Sequence, residues 1–336
     1  MSASIDSNVL LAAYILTFII GLPANILACY AFSRKVHDSP TPTDILLLNL
    51  TLSDLLFLLF LPLKMYEAIQ DLHWYLPHVL CSLTSFVFYT TIYTSALLLT
   101  AVSVDRYLGV AFPIHYRQLR KPVYAVAGGA FAWLFSGAHC SIVFVAEHIL
   151  IGNYTAANVT TCYKEFNEAQ RAVLVPARLE FFVVLCVVPL VICVFCYVNC
   201  IRILYSQPRI APQRKRKAIG MAFGTLLVFL VCFLPYNSAH LVGFLSDSSP
   251  HWRYYTLLLS TFNTCLDPII FYFSSPIYRN TTKALPIVKM FTMLRRREKA
   301  LSGDKGTKTL SVIPSLVPHP GGPPPSSDDP GGVNSA

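Results

Sequence analysis

Charge is scarce in this chain. Asp, Glu, Lys and Arg make up 13% of its 336 residues, about half the share found in a soluble domain. Together with 54% hydrophobic residues and a mean hydropathy of +0.54, that shortage excludes an ordinary water-soluble globule. Other absences narrow the field. There is no internal repeat, which argues against a repeat-built transporter. No metal-ligand pair and no nucleophile motif of a known kind occurs, which argues against an enzyme. The first apolar run is too long for a cleavable signal, lacks a small-x-small exit and ends in a basic flank, so it is expected to stay as an uncleaved anchor. No cysteine follows Cys265, so a segment lying on the membrane after that point has no palmitoylation site.

What the chain does have is seven long apolar stretches, at about 8–33, 43–69, 78–110, 121–148, 172–205, 216–245 and 252–275, where a crossing needs about 20 apolar residues. The fold class that follows is an all-α membrane protein, a seven-helix transmembrane bundle. Residues 1–7 form a short extracellular amino terminus, 8–275 the bundle, 276–292 an amphipathic membrane-surface segment and 293–336 a disordered cytoplasmic tail rich in Pro, Gly and Ser. The net charge of +9 sits in alternate loops. Arg34 and Lys35 follow span 1, Arg117, Arg120 and Lys121 follow span 3, Arg214 to Lys217 follow span 5, and Arg295-Arg296-Arg297 lie beyond span 7. The positive-inside rule then puts the amino terminus outside and the carboxyl terminus in the cytoplasm. Basic runs beside membrane spans reflect this topology rather than nucleic-acid binding.

Eight of the ten cysteines fall inside apolar stretches, where a thiol acts as a small hydrophobe. Cys81 and Cys162 fall on the oxidising outer side and can bridge. The same outer loop carries two glycosylation sequons, at Asn153 and Asn158.

Polar groups inside spans are expensive and therefore informative. Asp54 and Ser95 sit in spans 2 and 3, and Asn263 and Asp267 in span 7. Clustered oxygen donors of this kind suit either a sodium ion or a hydrogen-bonded network with water. Asp105-Arg106-Tyr107 ends span 3. Prolines interrupt the spans at Pro23, Pro62, Pro189, Pro235 and Pro268 and mark candidate pivots. Arg178 and Arg253 stand near the outer ends of spans 5 and 7. A permanent guanidinium charge persists there only with a partner or a task, and a carboxylate ligand supplies both.

These residues carry a resemblance. Gly21-Leu22-Pro23-Ala24-Asn25, Asn49-Leu50-Thr51-Leu52-Ser53-Asp54, Trp74, Cys81 with Cys162, Asp105-Arg106-Tyr107, Trp133, Pro189 with Tyr197, Phe229 to Pro235 and Asp267-Pro268 together resemble a rhodopsin-like (class A) G-protein-coupled receptor over about residues 8–292. Within that class, Val175-Pro176-Ala177-Arg178-Leu179-Glu180 and Phe229-Leu230-Val231-Cys232-Phe233-Leu234-Pro235-Tyr236-Asn237 look like the free fatty acid receptors, short-chain types two and three. Cys162-Tyr163-Lys164-Glu165-Phe166 looks closer to type three. The resemblance implies that Arg178 and Arg253 grip a ligand carboxylate, with His240, Tyr89, His139 and Tyr236 around them. It implies that Asp105, Arg106, Tyr107, Tyr197, Phe229, Phe233 and Pro235 serve activation and G-protein coupling. The implied partners are a short-chain fatty acid, a heterotrimeric G protein (Gi/o, with Gq second), arrestin and the bilayer, at the plasma membrane. No cofactor is implied beyond the sodium ion already considered.

There are departures from the family pattern. Phe233 replaces the usual span-6 tryptophan, and Phe271 stands where a tyrosine is expected. Lys215, Arg216 and Lys217 occupy the region where an acid would hold Arg106. A loosely latched resting state with agonist-free signalling is expected from that loss. Two rival readings share the bulk features: a receptor of the same fold for another anion, such as a nucleotide or hydroxy acid, and a carboxylate transporter.

Overall fold

The computed structural model describes residues 7–119, 121–145, 162, 168–208, 211–246 and 252–284. Among them, seven helices are long and apolar enough to cross a membrane: Ser7–Asp38, Pro42–Ile69, His78–Ala111, Pro122–Phe144, Arg171–Ser206, Lys215–Ser246 and Arg253–Phe273. They are spans 1 to 7 below. This is the seven-helix bundle anticipated from the hydrophobic runs. The sequon residues Asn153 and Asn158, loop residues Lys164 and Glu165, and everything from 285 onward lie outside the described residues.

The starts of the helices are written locally. Thr41 caps span 2, accepting from the Asp44 amide at 3.3 Å, and Pro42 follows at the first turn, where no amide donor is needed. Pro122 and Pro212 open the helices of spans 4 and 6 in the same way. A short helix, Pro113–Leu119, lies between spans 3 and 4, and another, Pro276–Ala284, follows span 7. The second is held by Tyr278, whose ring lies 6.1 Å from that of Phe32 and 5.8 Å from that of Phe271.

Spans 5 and 6 each contain a π-helical stretch, Phe181–Val187 and Val228–Phe233. Each ends two residues before a proline, Pro189 or Pro235. A proline removes a ladder donor and crowds the preceding turn, and a wider turn relieves both. Ser260 of span 7 donates to the Cys232 carbonyl at 2.8 Å, satisfying an acceptor in the span-6 widening from a neighbouring helix.

Span 3 is the axle of the bundle. In its most apolar stretch 72% of residues are buried inside the protein, against 28% for spans 1 and 4. The outward faces carry Leu16, Ile19, Leu59, Leu134, Val191 and Phe223, the surface expected against lipid. Polar side chains cross-link the interior. The Asn25 amide donates to Thr264 O at 3.0 Å, Ser53 to Thr91 O at 3.1 Å, and Tyr93 to Asn237 Oδ1 at 3.1 Å. The Cys81–Cys162 disulfide, with Cα atoms 5.6 Å apart, ties loop residue 162 to the start of span 3, and Trp74 packs on it.

Candidate functional site

At one end of the bundle the sequence's most costly side chains meet. Arg178 comes from span 5, one helical turn above the π-helical widening; Arg253 is the first residue of the helix Arg253–Thr261 in span 7. Both line one small cavity, together with Tyr89, Tyr93, Tyr236 and His240. The space between the lining side chains is about 350 Å³, but only about 20 Å³ of it is free for the centre of a water molecule. That is room for about one water, so the walls nearly touch.

Arg253 is only 7% exposed, and its guanidinium hydrogen-bonds the Tyr236 hydroxyl. A cation at the first residue of a helix opposes the helix dipole, whereas an anion placed beside it is favoured by dipole and guanidinium alike. Tyr236 and His240 are four residues apart and share a face of span 6, with ring centroids 4.6 Å apart, edge to face. Tyr89 of span 3 stacks parallel to Tyr236 at 6.2 Å. His240 is buried, is close to both arginines, and neither of its ring nitrogens has a partner among the described residues. A buried polar ring is normally satisfied, so His240 offers this cavity an unused hydrogen-bonding group.

His139 is placed elsewhere. It does not line this cavity but a separate groove between spans 4 and 5, where its Nε2 lies 2.9 Å from Glu180 Oε1. Glu180 is therefore engaged by span 4.

A second hollow adjoins the first and shares Tyr89 and Arg253 with it; Tyr14, Tyr254 and the ion pair Lys64–Glu67 line the rest. That pair, 2.8 Å apart and largely buried, escaped the sequence reading. Its signal was there: opposite charges three apart near the end of an apolar helix.

Near the middle of the bundle, the carboxyl groups of Asp54 and Asp267 lie beside each other and beside Thr264. Both are almost fully buried, and as carboxylates Asp54 Oδ2 and both Asp267 oxygens have no donor among the described residues. Ser95 donates to Ser53 at 3.3 Å, and Asn263 Oδ1 accepts from Thr264 at 3.3 Å. Two adjacent undonated carboxylates fit a small cation; no cluster of three or more His, Cys, Asp or Glu side chains suited to a transition metal occurs among the described residues.

At the opposite end, Asp105 accepts from Thr43 at 2.5 Å and from Tyr116 of the short helix Pro113–Leu119. The Tyr197 and Thr225 hydroxyls are 3.0 Å apart, joining spans 5 and 6, with Arg106 nearby. Tyr107 rests edge to face on Phe195 at 5.6 Å. Phe229 and Phe233 pack edge to face at 5.3 Å in the span-6 widening just ahead of Pro235.

A family model described as 7 transmembrane receptor (rhodopsin family) matches residues 24–271. The chain is 48% identical to mouse (Mus musculus) free fatty acid receptor 3 over 267 residues, covering 79% of this chain and 82% of the relative. It is 47% identical to rat (Rattus norvegicus) free fatty acid receptor 2 over 281 residues, covering 83% and 85%. This chain belongs to the free fatty acid receptor family of rhodopsin-like receptors. It is a multi-pass membrane protein of a G-protein-coupled receptor class, not an enzyme. Free fatty acid receptor 1 of Macaca fascicularis is more distant, at 33% over 270 residues, covering 77% and 89%. One point of identity does not separate type three from type two, so the free fatty acid receptor assignment holds at the level of types two and three together.

Proposed function

We propose that this free fatty acid receptor is activated from outside the cell by short-chain fatty acids, whose carboxylate is gripped by Arg178 and Arg253. The observation that carries this reading is the convergence of two guanidinium groups from spans 5 and 7 on one small cavity. Guanidinium and carboxylate form charge-assisted, bidentate hydrogen bonds. Tyr236 presents and orients Arg253, and His240 adds a further polar contact. The cavity's scale supports an acid of two to four carbons, acetate to butyrate, admitted by modest side-chain movement. A long alkyl chain would need a much larger displacement of Tyr93, Val143, Leu174 and Phe181, which line the cavity.

In this reading the arginine end faces outside and the Asp105-Arg106-Tyr107 end faces the cytoplasm, in the plasma membrane. Ligand neutralises the paired positive charge and draws spans 5, 6 and 7 together at the outer end. The two widenings ahead of Pro189 and Pro235 let the inner halves respond, and Arg106 and Tyr197 then face a G protein of the Gi/o class, with Gq second, and later arrestin. The ligand must bind the responding arrangement more tightly than the resting one, or nothing shifts. Sodium, where bound, would be held by Asp54 and Asp267, with the hydroxyl of Ser95 and the amide of Asn263 in reach of the same layer, and would supply charge balance there.

Affinity is bounded by size. The best tiny ligands reach about −1.5 kcal/mol per heavy atom, so propionate binds in the micromolar to millimolar range. The test is a concentration series of acids from acetate to decanoate on cells expressing the receptor, read by calcium and cyclic AMP. Propionate is expected to act and decanoate not. Arg178→Ala and Arg253→Ala are each expected to abolish the propionate response at unchanged surface level. An undiminished response in both variants rejects the assignment. A response to a hydroxy acid or nucleotide in place of propionate favours another anion, and saturable uptake of labelled acetate favours transport.

A further inference from the structure

Span 4 turns one buried stripe, Ser136, Cys140 and Val143, toward the interior. His139 stands one residue, hence about 100°, away from Cys140. That step carries it out of the cavity that Cys140 and Val143 line and into the groove facing span 5. Its two ring nitrogens are both engaged there. Nδ1 is 2.7 Å from the Phe135 carbonyl, and Nε2 is 2.9 Å from Glu180 Oε1. The ring also packs on Phe135 at 4.3 Å and lies 6.2 Å from Phe181. Glu180 is two residues after Arg178 and is the last residue of the regular helix before the π-helical widening begins at Phe181.

We infer that His139 is a positioning residue: it ties span 4 to Glu180 and so fixes the turn of span 5 that presents Arg178, without touching the ligand. This inference rests on the proposed grip by Arg178. The geometry supports it in three ways. The groove and the cavity share Ile142, Ala177 and Phe181 as a wall, so the tie acts from directly behind the ligand site. A widened turn is a weaker ladder than a regular one, so the helix entering it needs an outside anchor. Glu180 lies within the apolar helix Arg171–Ser206, where a carboxylate without a partner is costly.

The experiment uses the full-length receptor on cells, with propionate as probe, in His139→Ala, Glu180→Ala, the double variant and Glu180→Gln. Each alanine variant is expected to raise the propionate EC50 about tenfold, the size of a lost hydrogen bond to a charged group. Maximal response and surface level should be kept. The double variant should be no worse than either single one, because one interaction can be lost only once. Glu180→Gln, which keeps an acceptor, should recover much of the loss.

Multiplying losses in the double variant, or a full loss in His139→Ala beside an unchanged Glu180→Ala, would overturn the inference and make His139 a ligand contact. If the alanine variants fail to reach the surface, Glu180→Gln decides: a well-expressed Gln variant that loses about tenfold or more in propionate potency also overturns it. Failure of the parent reading looks different. Arg178→Ala would then leave the propionate response intact, whereas failure of the tie leaves Arg178→Ala inactive and the His139–Glu180 cycle additive.

Discussion

The two ends of this receptor are held together by different kinds of force. The end bearing Arg178 and Arg253 is a crowd of charges: two guanidinium groups around one cavity, Lys64–Glu67 in the hollow beside it, and His139–Glu180 behind it. At the other end the bonds between spans 5 and 6 are neutral. Tyr197 meets Thr225, and Gly220 of span 6 lies so close against Phe273 of span 7 that an added Cβ would sit 2.6 Å from the ring. Charge interactions inside a low-dielectric bundle are strong and selective for a charged guest. Hydroxyl pairs and close packing are worth far less each. A ligand with about five heavy atoms has little binding energy to spend. It can move only an equilibrium that is nearly balanced, and the neutral contacts between spans 5, 6 and 7 at the end away from the arginines suit that.

The largest effect belongs to the charged end. Arg253→Lys keeps the positive charge but loses the planar fork and its bond to Tyr236. We expect the propionate EC50 to rise about a hundredfold, since lysine does not replace a bidentate arginine. A dose–response curve with unchanged potency would mean that charge alone suffices and that the fork geometry is irrelevant.

The next effect belongs to the inner end. Gly220→Ala places a methyl group against a rigid ring whose nearest atoms are at 2.6, 2.7 and 2.8 Å. Real carbon contacts of that kind lie near 3.5–4.0 Å, so spans 6 and 7 must separate there. Agonist-free signalling is expected to rise about fivefold, a shift of about 1 kcal/mol. Cyclic AMP measured without ligand, normalised to surface level, checks it. A silent, well-expressed variant would show that the close contact is incidental.

The seven spans were legible because hydrophobic length is read one helix at a time, and the observed helices follow the predicted runs within a few residues except at the ends of spans 1 and 4. Span 1 continues as helix to Asp38, and span 4 is described to Phe144 with a break at Ser141. The prolines were legible as pivots; that spans 5 and 6 widen into π-helix ahead of Pro189 and Pro235 was not, because it depends on what neighbouring helices supply, as Ser260 does for Cys232. Resemblance and spacing group Arg178, Arg253, Tyr89, Tyr236 and His240, and these five meet at one cavity. His139 was grouped with them, but a single residue turns a helix face by about 100°, and nothing in a lone sequence fixes that rotation for a helix apolar on most sides. Loss of the acid that would hold Arg106 was legible too. The hydroxyl pair that joins spans 5 and 6 close to Arg106 was not, because Tyr197 and Thr225 are 28 residues apart and nothing in the sequence pairs them.

That hydroxyl pair gives the smallest expected effect and the finest test of the contrast between the ends. Thr225 is fully enclosed and Tyr197 nearly so. Thr225→Val removes the hydroxyl while keeping the shape, and leaves Tyr197 with less to bond in the resting arrangement but just as free to bond in any other. The resting arrangement loses about one neutral hydrogen bond, so agonist-free signalling is expected to rise about threefold. The propionate EC50 should fall slightly, because the ligand then has less to overcome. Thr225 acts between spans 5 and 6 and Gly220 between spans 6 and 7, with no shared partner, so the two gains should multiply in the double variant. A double variant no more active than Gly220→Ala alone would mean that one contact governs both gaps and that the inner end opens as a single latch.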